Sequence, residues 1–430
     1  MTTLTVGEHD TVVRGGKTGY CDVPTLAGAA FDAVQALVDG VELAPIASPR
    51  LHRGQPALKL AQWVGVIRTP DGTVLEILPK THRHTDDPQE SRTLLLKMLA
   101  AVDERFKVAP PAELDPARMP LFEVFLRYAL EGFRAAIRLG VPHAYVAVQE
   151  ERSGLRGRLN LTRQLRQLPH RAHKLHVEYD EYLPDRPENR LVRLSVERIA
   201  RMTKLNASKR LARELLHVLD GVPPSQQVHQ DFVAWRLERG HAHFAPLEAL
   251  CRLVLFELNP LVSGESSRAL AVLFDMNRVY EAYVAYLLRQ QYPSWRVQTQ
   301  VGGRALGMVN GQRAFALRPD LLVTLPGGQT IVADTKWKRL RPDEPPTYGV
   351  SNADAYQMLA YSEIFQQGEQ ERQLWLIYPQ VDDLPVRLPD IILSGARKLV
   401  LVTVDLQVSS GHFPQLQPSD FDHPVLTHHL

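Results

Sequence analysis

The chain has 430 residues, 44% of them hydrophobic and 23% charged, so we expect a globular protein of two or three domains. No apolar run is long enough to span a membrane, the N-terminus lacks a signal-peptide pattern, and Cys21 and Cys251 have no metal-ligand or redox spacing. These features favour a cytoplasmic protein, and the net charge of +2 still allows a locally basic surface.

Residues 1–90 predict an N-terminal β-rich domain with one helix. Apolar segments at 64–69 and 73–78 flank Pro70-Asp71-Gly72, a sequence typical of a hairpin turn. The helix is expected over residues 25–38 and ends at Asp39-Gly40.

Residues 91–267 predict a mainly helical middle region. Apolar residues spaced three and four apart indicate helices over residues 91–102, 121–139, 188–202, 208–219 and 246–258. A strand pair, 144–149 with 157–161, interrupts these helices around Arg152-Ser153-Gly154.

Residues 152–174, called here the basic segment, contain no carboxylate. The cationic residues of this segment are Arg152, Arg156, Arg158, Arg163, Arg166, Arg171 and Lys174. Such a segment suits phosphate or another anionic surface. A solvated face of an ordinary hairpin and helix explains the charge equally well.

Residues 268–430 predict an α/β domain, with elements in the order helix, three strands, helix and two strands. The expected bounds are 269–291, 295–301, 313–324, 330–338, 353–365, 373–378 and 398–405. Three prolines make residues 340–350 an irregular loop. The fold class is therefore an α+β and α/β multidomain protein, with β-rich and helical N-terminal regions and a C-terminal α/β core.

Two short motifs, Arg318-Pro319-Asp320 and Asp334-Thr335-Lys336, lie on the two strands joined through Pro326-Gly327-Gly328. Alternation along the first strand places Arg318 and Asp320 on one face and apolar residues such as Phe315 and Leu321 on the other. Alternation along the second strand places Asp334 and Lys336 on the same face. A three-residue loop sets Asp320 directly across from Asp334, with about 5 Å between their Cβ atoms. A two-residue loop would need a bulge to bring them level.

Two opposed carboxylates destabilise a strand pair unless a cation is shared between them. Asp320 and Asp334 are therefore candidate ligands of Mg²⁺, which polarises a phosphate and acidifies a water molecule. Lys336 can orient or help to deprotonate that water and offset transition-state charge. Alternatively, this is a surface hairpin in which Lys336 and Lys338 simply pair with the acids.

Two helices supply further candidates. Glu281, in an otherwise apolar helix, either completes the metal site or pairs locally with Arg278. Gln357 and Tyr361 lie four residues apart on a later helix, so both can face the same groove. Polar residues at the edge of a helix are the alternative explanation for this second pair.

The chain resembles the McrC family, the nuclease subunits of the McrBC modification-dependent restriction systems, and the C-terminal motifs resemble PD-(D/E)xK nucleases. The C-terminal likeness lies in LFDMNRVYEAYV (273–284), LRPDLL (317–322), VADTKWK (332–338) and DAYQMLAY (354–361). The upstream likeness lies in GVIRTPDGTVLEILPK (65–80), GLRGRLNLTRQL (154–165) and YDEYLPDRPENRLVR (179–193). These motifs follow the family order over nearly the whole chain, and only irregular loops such as 340–350 have no counterpart.

The resemblance implies a metal-dependent DNA endonuclease. By motif, Asp320, Asp334 and Lys336 are catalytic, Glu281 and Gln357 support them, and Mg²⁺ or Mn²⁺ is the metal, with Asp320, Asp334 and Glu281 as its ligands. The domains would be an N-terminal docking domain (1–90), a middle region (91–267) and a PD-(D/E)xK nuclease domain (268–430).

The resemblance also implies a partner. McrC-like proteins cut DNA only with a GTP-hydrolysing AAA+ ring of the McrB type, which they stimulate, and recognition of modified cytosine in the DNA belongs to that ring. Residues expected to contact DNA or the ring are Arg156, Arg158, Arg163, Lys338 and Tyr361.

Other motifs do not predict sites. Gly15-Gly16-Lys17-Thr18 ends like a phosphate-binding loop, but Thr11 stands where the motif requires glycine, so we expect this chain to bind no nucleotide. The His82/His84 and His241/His243 pairs have no third ligand nearby, and His428-His429 has no supporting context.

Two functions compete with that of a nuclease subunit. One is an adaptor that activates an AAA+ ring without cutting, and the other is a stand-alone DNA-repair nuclease. The complete Asp320, Asp334 and Lys336 set disfavours the adaptor, and the long region before residue 268 disfavours the stand-alone enzyme.

Overall fold

The computed structural model describes residues 2–15, 23–39, 46–80, 87–103, 119–171, 173–257, 270–368, 372–385, 388–395, 397–406 and 413. The chain forms two compact units. The first comprises Met1–Lys107, Asp115–Leu121 and Ser267–Leu430, and the second comprises Val108–Leu114 and Phe122–Ser266. The first unit thus combines both ends of the chain.

The N-terminal part of the first unit is β-rich. Its strands are β1 (Thr3–Gly7), β2 (Thr11–Gly15), β3 (Thr25–Ala27), β4 (Ala47–His52), β5 (Gln55–Leu60), β6 (Trp63–Arg68) and β7 (Val74–Leu78), and its helices are α1 (Gly28–Asp39) and α2 (Pro88–Val102). Strands β3, β2, β5 and β4 form one sheet in that order. Apolar residues of α1, including Phe31 and Val34, pack with Leu58 and Ile77 into one core.

The predicted hairpin is confirmed. Strands β6 and β7 pair antiparallel, and the Thr69 amide donates to the Thr73 carbonyl across the turn at 2.9 Å. Gly72, at φ +83°, takes the left-handed conformation that glycine adopts easily. The predicted helix over 25–38 begins three residues later, because residues 25–27 instead pair with β2 as strand β3.

The second unit is mainly helical. Its elements are α3 (Leu121–Arg138), β8 (Ala144–Arg152), β9 (Arg158–Leu159), α4 (Leu161–Leu165), β10 (Leu175–Leu183), α5 (Pro187–Met202), α6 (Asn206–Val218), α7 (Val228–Ala234) and α8 (Ala245–Arg252). The α-helix predicted over 246–258 ends at Arg252 and continues as a short π-helical turn, Leu253–Glu257.

The strand pair predicted in this unit is wrong in its partners. Strand β8 does not pair with β9, because β10 lies between them and pairs antiparallel with both. The prediction lacked β10, although its sequence LHVEYDEYL alternates apolar and polar residues from Leu175 to Asp180 before the pattern breaks at Glu181.

The C-terminal part of the first unit begins with a strand rather than the predicted helix. Residues Leu270–Asp275 form β11, which pairs antiparallel with β6 and gives the sheet order β1-β7-β6-β11. Helix α9 (Met276–Gln291) starts where the Asp275 side chain accepts a hydrogen bond from the Asn277 amide at 3.0 Å. Gly65 makes this pairing possible, because a Cβ there would lie 2.0 Å from the Val272 carbonyl oxygen.

The remaining elements build a six-stranded sheet. They are β12 (Arg296–Thr299), β13 (Arg304–Val309), β14 (Gln312–Leu317), β15 (Leu321–Thr324), β16 (Thr330–Thr335), α10 (Asn352–Phe365), β17 (Gln373–Pro379), β18 (Ile391–Leu393) and β19 (Arg397–Val404). The order is β12-β15-β16-β17-β19-β18. Strands β16, β17 and β19 are parallel, and α10 connects the first two.

The single strand predicted over 313–324 is two strands. Strand β14 pairs with β13 in a separate two-stranded sheet, and β15 joins the main sheet. The break falls at Arg318-Pro319-Asp320, where proline cannot donate a ladder hydrogen bond. The predicted alternation is therefore wrong for Phe315, which is 77% exposed instead of facing the core.

The main sheet carries an apolar core against α10. Met358, Tyr361 and Phe365 of this helix pack with Val332 and Leu374 of the sheet. The fold class is therefore a mixed α/β multidomain arrangement. Among the described helices, none combines the length and the apolar sequence needed to cross a membrane.

Candidate active site

The register of β15 and β16 brings the two predicted motifs together. Leu321 pairs with Ala333, and the Leu325 amide donates to the Gln329 carbonyl at 2.9 Å, which leaves residues 326–328 as a three-residue loop. One residue further along the same register, Asp320 stands level with Asp334. Of the two loop lengths that the sequence left open, the structure has the three-residue loop.

Asp320 is held by hydrogen bonds from the end of β16. Its Oδ2 accepts from the Thr335 amide and from the Thr335 hydroxyl, each at 2.8 Å. These bonds fix the orientation of a carboxylate that lies just outside the regular strand. Thr335, the middle residue of the second motif, thus has a role that the sequence did not indicate.

Asp334 is almost fully buried, with 3% of its surface exposed. Burial, together with the nearby charge of Asp320, raises its pKa to about 6, although Lys336 opposes this shift. The Lys336 Nζ lies 2.6 Å from Asp334 Oδ2. The pairing of Lys336 with an acid that the alternative interpretation expected is therefore present, but Asp334 is buried rather than on a solvated surface.

Lys336 stands among three oxygen acceptors. Besides Asp334, its Nζ donates to Gln357 Oε1 at 3.0 Å and lies 3.4 Å from Asp354 Oδ1. Burial would lower the pKa of Lys336, but Asp334 and Asp354 outweigh burial, so the net shift is upward. The side chain is therefore an ammonium ion at neutral pH.

Glu281 of α9 reaches the same site through Gln300. Its Oε1 accepts from Gln300 Nε2 at 2.5 Å, and the same nitrogen lies 3.5 Å from Asp320 Oδ1. Burial, reinforced by the charges of Asp320 and Asp334, raises the pKa of Glu281 to about 7. Sequence reasoning missed Gln300 because no motif spacing marks it.

The Gln357 and Tyr361 side chains meet over the site, as expected for residues four apart on one helix face. Gln357 Nε2 donates to the Tyr361 hydroxyl oxygen at 2.8 Å and lies 3.5 Å from Asp334 Oδ1. The Tyr361 hydroxyl donates to the Arg318 carbonyl at 3.1 Å. Tyr361 is only 5% exposed, so the pair is not a polar edge of the helix.

Asp354, which the sequence analysis did not single out, faces both lysines. Its Oδ2 accepts from Lys338 Nζ at 2.5 Å and from the Ser351 hydroxyl at 2.8 Å. Burial alone would raise its pKa, but Lys338, Ser351 and Lys336 together lower it to about 2. We call the set Glu281, Asp320, Asp334, Lys336, Lys338 and Asp354 the carboxylate–lysine cluster.

A residue from the start of the chain supports the end of β16. Trp337 Nε1 donates to the buried Glu8 Oε1 at 2.8 Å, and the same oxygen accepts from the Lys80 amide at 3.0 Å. Burial raises the pKa of Glu8 to about 7. This contact spans more than three hundred residues, so no local pattern could predict it.

The donor set suits a hard divalent cation, although the described residues contain no group of three or more His, Cys, Asp or Glu side chains already placed to hold one. The chemistry of Glu281, Asp320 and Asp334 fits such an ion. Burial raises the pKa of Glu281 and Asp334, and repulsion from the neighbouring acids raises it further. A shared cation would remove that repulsion.

The basic segment belongs to the second unit. Its arginines are exposed, but strands β8 and β10 supply carboxylates: Arg156 lies 3.3 Å from Glu181, and Arg158 lies 2.8 Å from Glu178. The absence of acids within residues 152–174 therefore does not leave these two charges uncompensated.

The remaining motifs carry no site in the described part of the chain. Residues 16–18 of the glycine-rich motif, His82, His84, His428, His429 and Cys21 lie outside the described residues. His243 Nε2 lies 2.8 Å from the Gly140 carbonyl oxygen. Cys251 is buried, and burial raises the pKa of its thiol to about 12, so it is not a reactive thiolate.

Known proteins resemble the chain over most of its length. Residues 58–379 match the family model of the McrBC 5-methylcytosine restriction system component. A refined half-complex from a tetradecameric assembly of Thermococcus gammatolerans McrB AAA+ hexamers with bound McrC contains a similar chain. The two share 20% identity at a TM-score of 0.70, over 97% of each chain.

A cryo-EM structure of the Thermococcus gammatolerans McrBC complex also contains a similar chain, with 22% identity and a TM-score of 0.50. The match covers 71% of this chain and 90% of the other. At such identities the likeness to both structures shows the fold alone. The search of curated proteins finds no match.

Proposed function

We propose that this chain, which belongs to the family of McrBC 5-methylcytosine restriction system components, is the subunit that cuts DNA. The observation that carries the proposal is the partly buried carboxylate–lysine cluster, in which Asp320, Asp334 and Lys336 meet at the ends of two strands. Acids whose pKa values are raised by burial beside a specific charged partner are typical of functional sites. The α/β core around them would be of the PD-(D/E)xK type.

The reaction would be hydrolysis of a phosphodiester bond. A divalent cation, Mg²⁺ or Mn²⁺, held by Asp320, Asp334 and Glu281 would polarise the phosphate and acidify the attacking water. Because its pKa is raised, Lys336 would act as a cation that orients water and offsets negative charge, rather than as a base. Gln357 would hold the Lys336 ammonium, and Tyr361 would hold Gln357.

The partner would be an AAA+ GTPase ring like the McrB hexamers in the Thermococcus gammatolerans assembly. Modified cytosine would then be recognised by the ring, in defence against foreign DNA in the cytoplasm. The basic segment would contact that ring rather than DNA, because apolar side chains such as Leu155 (66% exposed) and Leu165 (86% exposed) lie within it. Exposed apolar side chains suit a protein partner better than phosphates do.

Reconstitution tests the proposal. The full chain is mixed with a McrB-type AAA+ protein, GTP, Mg²⁺ and DNA with or without 5-methylcytosine. We expect cleavage only when all components are present, and no GTP hydrolysis by the chain alone. Cleavage by the chain without a partner would favour a stand-alone nuclease. Stimulated GTP hydrolysis without cleavage at any metal concentration would favour an adaptor.

A further inference from the structure

Asp354 makes more contacts than the start of a helix requires. It is the third residue of α10, where its carboxylate and Ser351 form a reciprocal capping box. The cap occupies Oδ2, which accepts from the Ser351 hydroxyl at 2.8 Å and from the Ser351 amide at 3.3 Å. The lysine contacts are additional: Lys338 Nζ on Oδ2 and Lys336 Nζ near Oδ1.

Lys336 therefore stands between two carboxylates on different elements. The distance to Asp334 on β16 is 2.6 Å, and the distance to Asp354 on α10 is 3.4 Å. The shorter contact places the ammonium against Asp334, which our proposed function assigns as a ligand of a divalent cation. The ammonium occupies Oδ2 of Asp334, so a metal ion that binds through this oxygen must compete with Lys336.

We propose that Asp354 is a positioning residue that draws the Lys336 ammonium toward α10, leaving Asp334 available to a divalent cation. This inference rests on the proposed function and adds a residue to the site. Asp354 suits the role because the capping box already fixes its side chain, which is only 11% exposed. The carboxylate of Asp354 is therefore in place before Lys336 moves. Although burial opposes the shift, Lys338, Ser351 and Lys336 lower the pKa of Asp354, which favours the ionised carboxylate.

The role of Asp354 in the cap must be separated from its role toward Lys336. Asp354→Asn keeps an oxygen for the cap but removes the charge that attracts the lysine. Ser351→Ala removes the other half of the cap and leaves the lysine contacts of Asp354 in place. Both variants should melt at a lower temperature than the parent, whereas only Asp354→Asn should change cation binding.

The decisive measurement is a double-mutant cycle on Mn²⁺ affinity, made by calorimetry on the full chain without partner or DNA. We expect Asp354→Asn to weaken Mn²⁺ binding about tenfold in the parent, a coupling of ordinary size for contacting residues. In a Lys336→Met background, where nothing competes for Asp334, the same substitution should change the affinity by less than about twofold.

The outcomes separate this inference from the proposed function. An equal loss in both backgrounds, or an equal loss with Ser351→Ala, would overturn the positioning role while leaving a metal-dependent nuclease in place. Absence of Mn²⁺ binding by the parent would overturn the metal site and this inference together. If Asp354→Asn does not fold, Lys338→Met provides the test. It removes the contact with Lys338 and keeps the contact between Asp354 and Lys336, so a tenfold loss of Mn²⁺ affinity would contradict the proposal.

Discussion

The carboxylate–lysine cluster of the first unit and the basic segment of the second both set cations against carboxylates, but they differ in their access to water. Asp334 and Lys336 have side chains that are 4% and 20% exposed, whereas the Arg158 side chain is 78% exposed. In the cluster, burial and crowded acids raise the pKa of Asp334 and Glu281. In the basic segment, solvent screens each pair, and exposed pairs contribute little to stability.

This difference in exposure to water indicates which charged side chains can take part in catalysis. A surface arginine paired with a neighbouring glutamate is already compensated, so its value lies in recognising another molecule. Buried acids that still repel one another can bind a cation, because that ion would relieve the repulsion. Substitutions should therefore have large effects on chemistry in the cluster and selective effects on binding in the basic segment.

The largest effect is expected from Lys336→Ala. We predict a loss of DNA cleavage of about a hundredfold or more in the reconstituted complex, since the ammonium is the cation that offsets transition-state charge. Binding to the AAA+ partner should persist. The matched control is Lys398→Ala. Lys398 is not a member of the cluster, and its Nζ pairs with Asp390 Oδ2 at a distance of 2.8 Å. Cleavage near the parent rate by the Lys336 variant would remove this residue from the mechanism.

Asp320→Asn and Asp334→Asn should each weaken Mn²⁺ or Mg²⁺ binding to the full chain, measured by calorimetry. Without metal, the same substitutions relieve the repulsion between the acids. For Asp334 we therefore expect a cation-free protein that melts slightly higher than the parent, with Lys336 still paired to Asp354. Unchanged affinity in both variants would place the metal elsewhere in the chain.

The core of the site could be predicted from the sequence because its geometry is local. Asp320 and Asp334 lie on adjacent strands, and the three residues of the loop fix their register. Gln357 and Tyr361 follow from helical spacing. Even the break before β15 was marked in the sequence by Pro319, although the alternation there was interpreted as one continuous strand.

The remaining contacts are set by tertiary structure, which single-sequence patterns do not encode. Strand β11 is a short apolar run continuous with a helix, and only its pairing with β6 makes it a strand. Asp354 looks like an ordinary helix cap until its lysine partners are known. Gln300 and Glu8 carry no motif, and each gains its role from residues distant in sequence. The periodicity of a sequence does not predict contacts between residues that lie so far apart along the chain.

Stability of the cation-free chain should fall as the pH rises from about 4 to 7. The pKa values of Asp334 and Glu281 are raised in the folded state, to about 6 and about 7, from ordinary values of 3.8 and 4.5. The folded protein therefore holds more protons than the unfolded chain, and the stabilisation present below the ordinary values is lost as pH rises through the folded values.

Melting temperatures of the parent and of Glu281→Gln across this range test the prediction. Glu8 has a pKa raised in the same direction and contributes to both proteins, so the difference between them isolates Glu281. The variant should show the flatter profile, and saturating Mn²⁺ should flatten the parent profile as well. Parallel profiles for parent and variant would mean that the folded protein does not raise the pKa of Glu281.

The smallest and most selective effects are expected from the basic segment. Arg156→Ala and Arg158→Ala together remove two exposed ion pairs and the stacking of Arg156 on Tyr179, whose ring centroid lies 4.0 Å from the guanidinium carbon. We expect the folded chain to remain stable, because exposed pairs contribute little. The quantities to measure are GTP hydrolysis stimulated in the AAA+ partner and DNA affinity as a function of salt.

The two measurements distinguish the partner from DNA. Each phosphate contact that is lost should reduce the salt slope of DNA binding by nearly one unit. If the segment contacts the ring, as the exposed leucines within it favour, the double variant should lower stimulated GTP hydrolysis and leave the salt slope unchanged. A flatter slope with normal GTP hydrolysis would instead assign these arginines to DNA. No change in either quantity would mean that Arg156 and Arg158 only pair with Glu181 and Glu178. The cluster would then take part in catalysis, whereas these arginines would only keep the surface soluble.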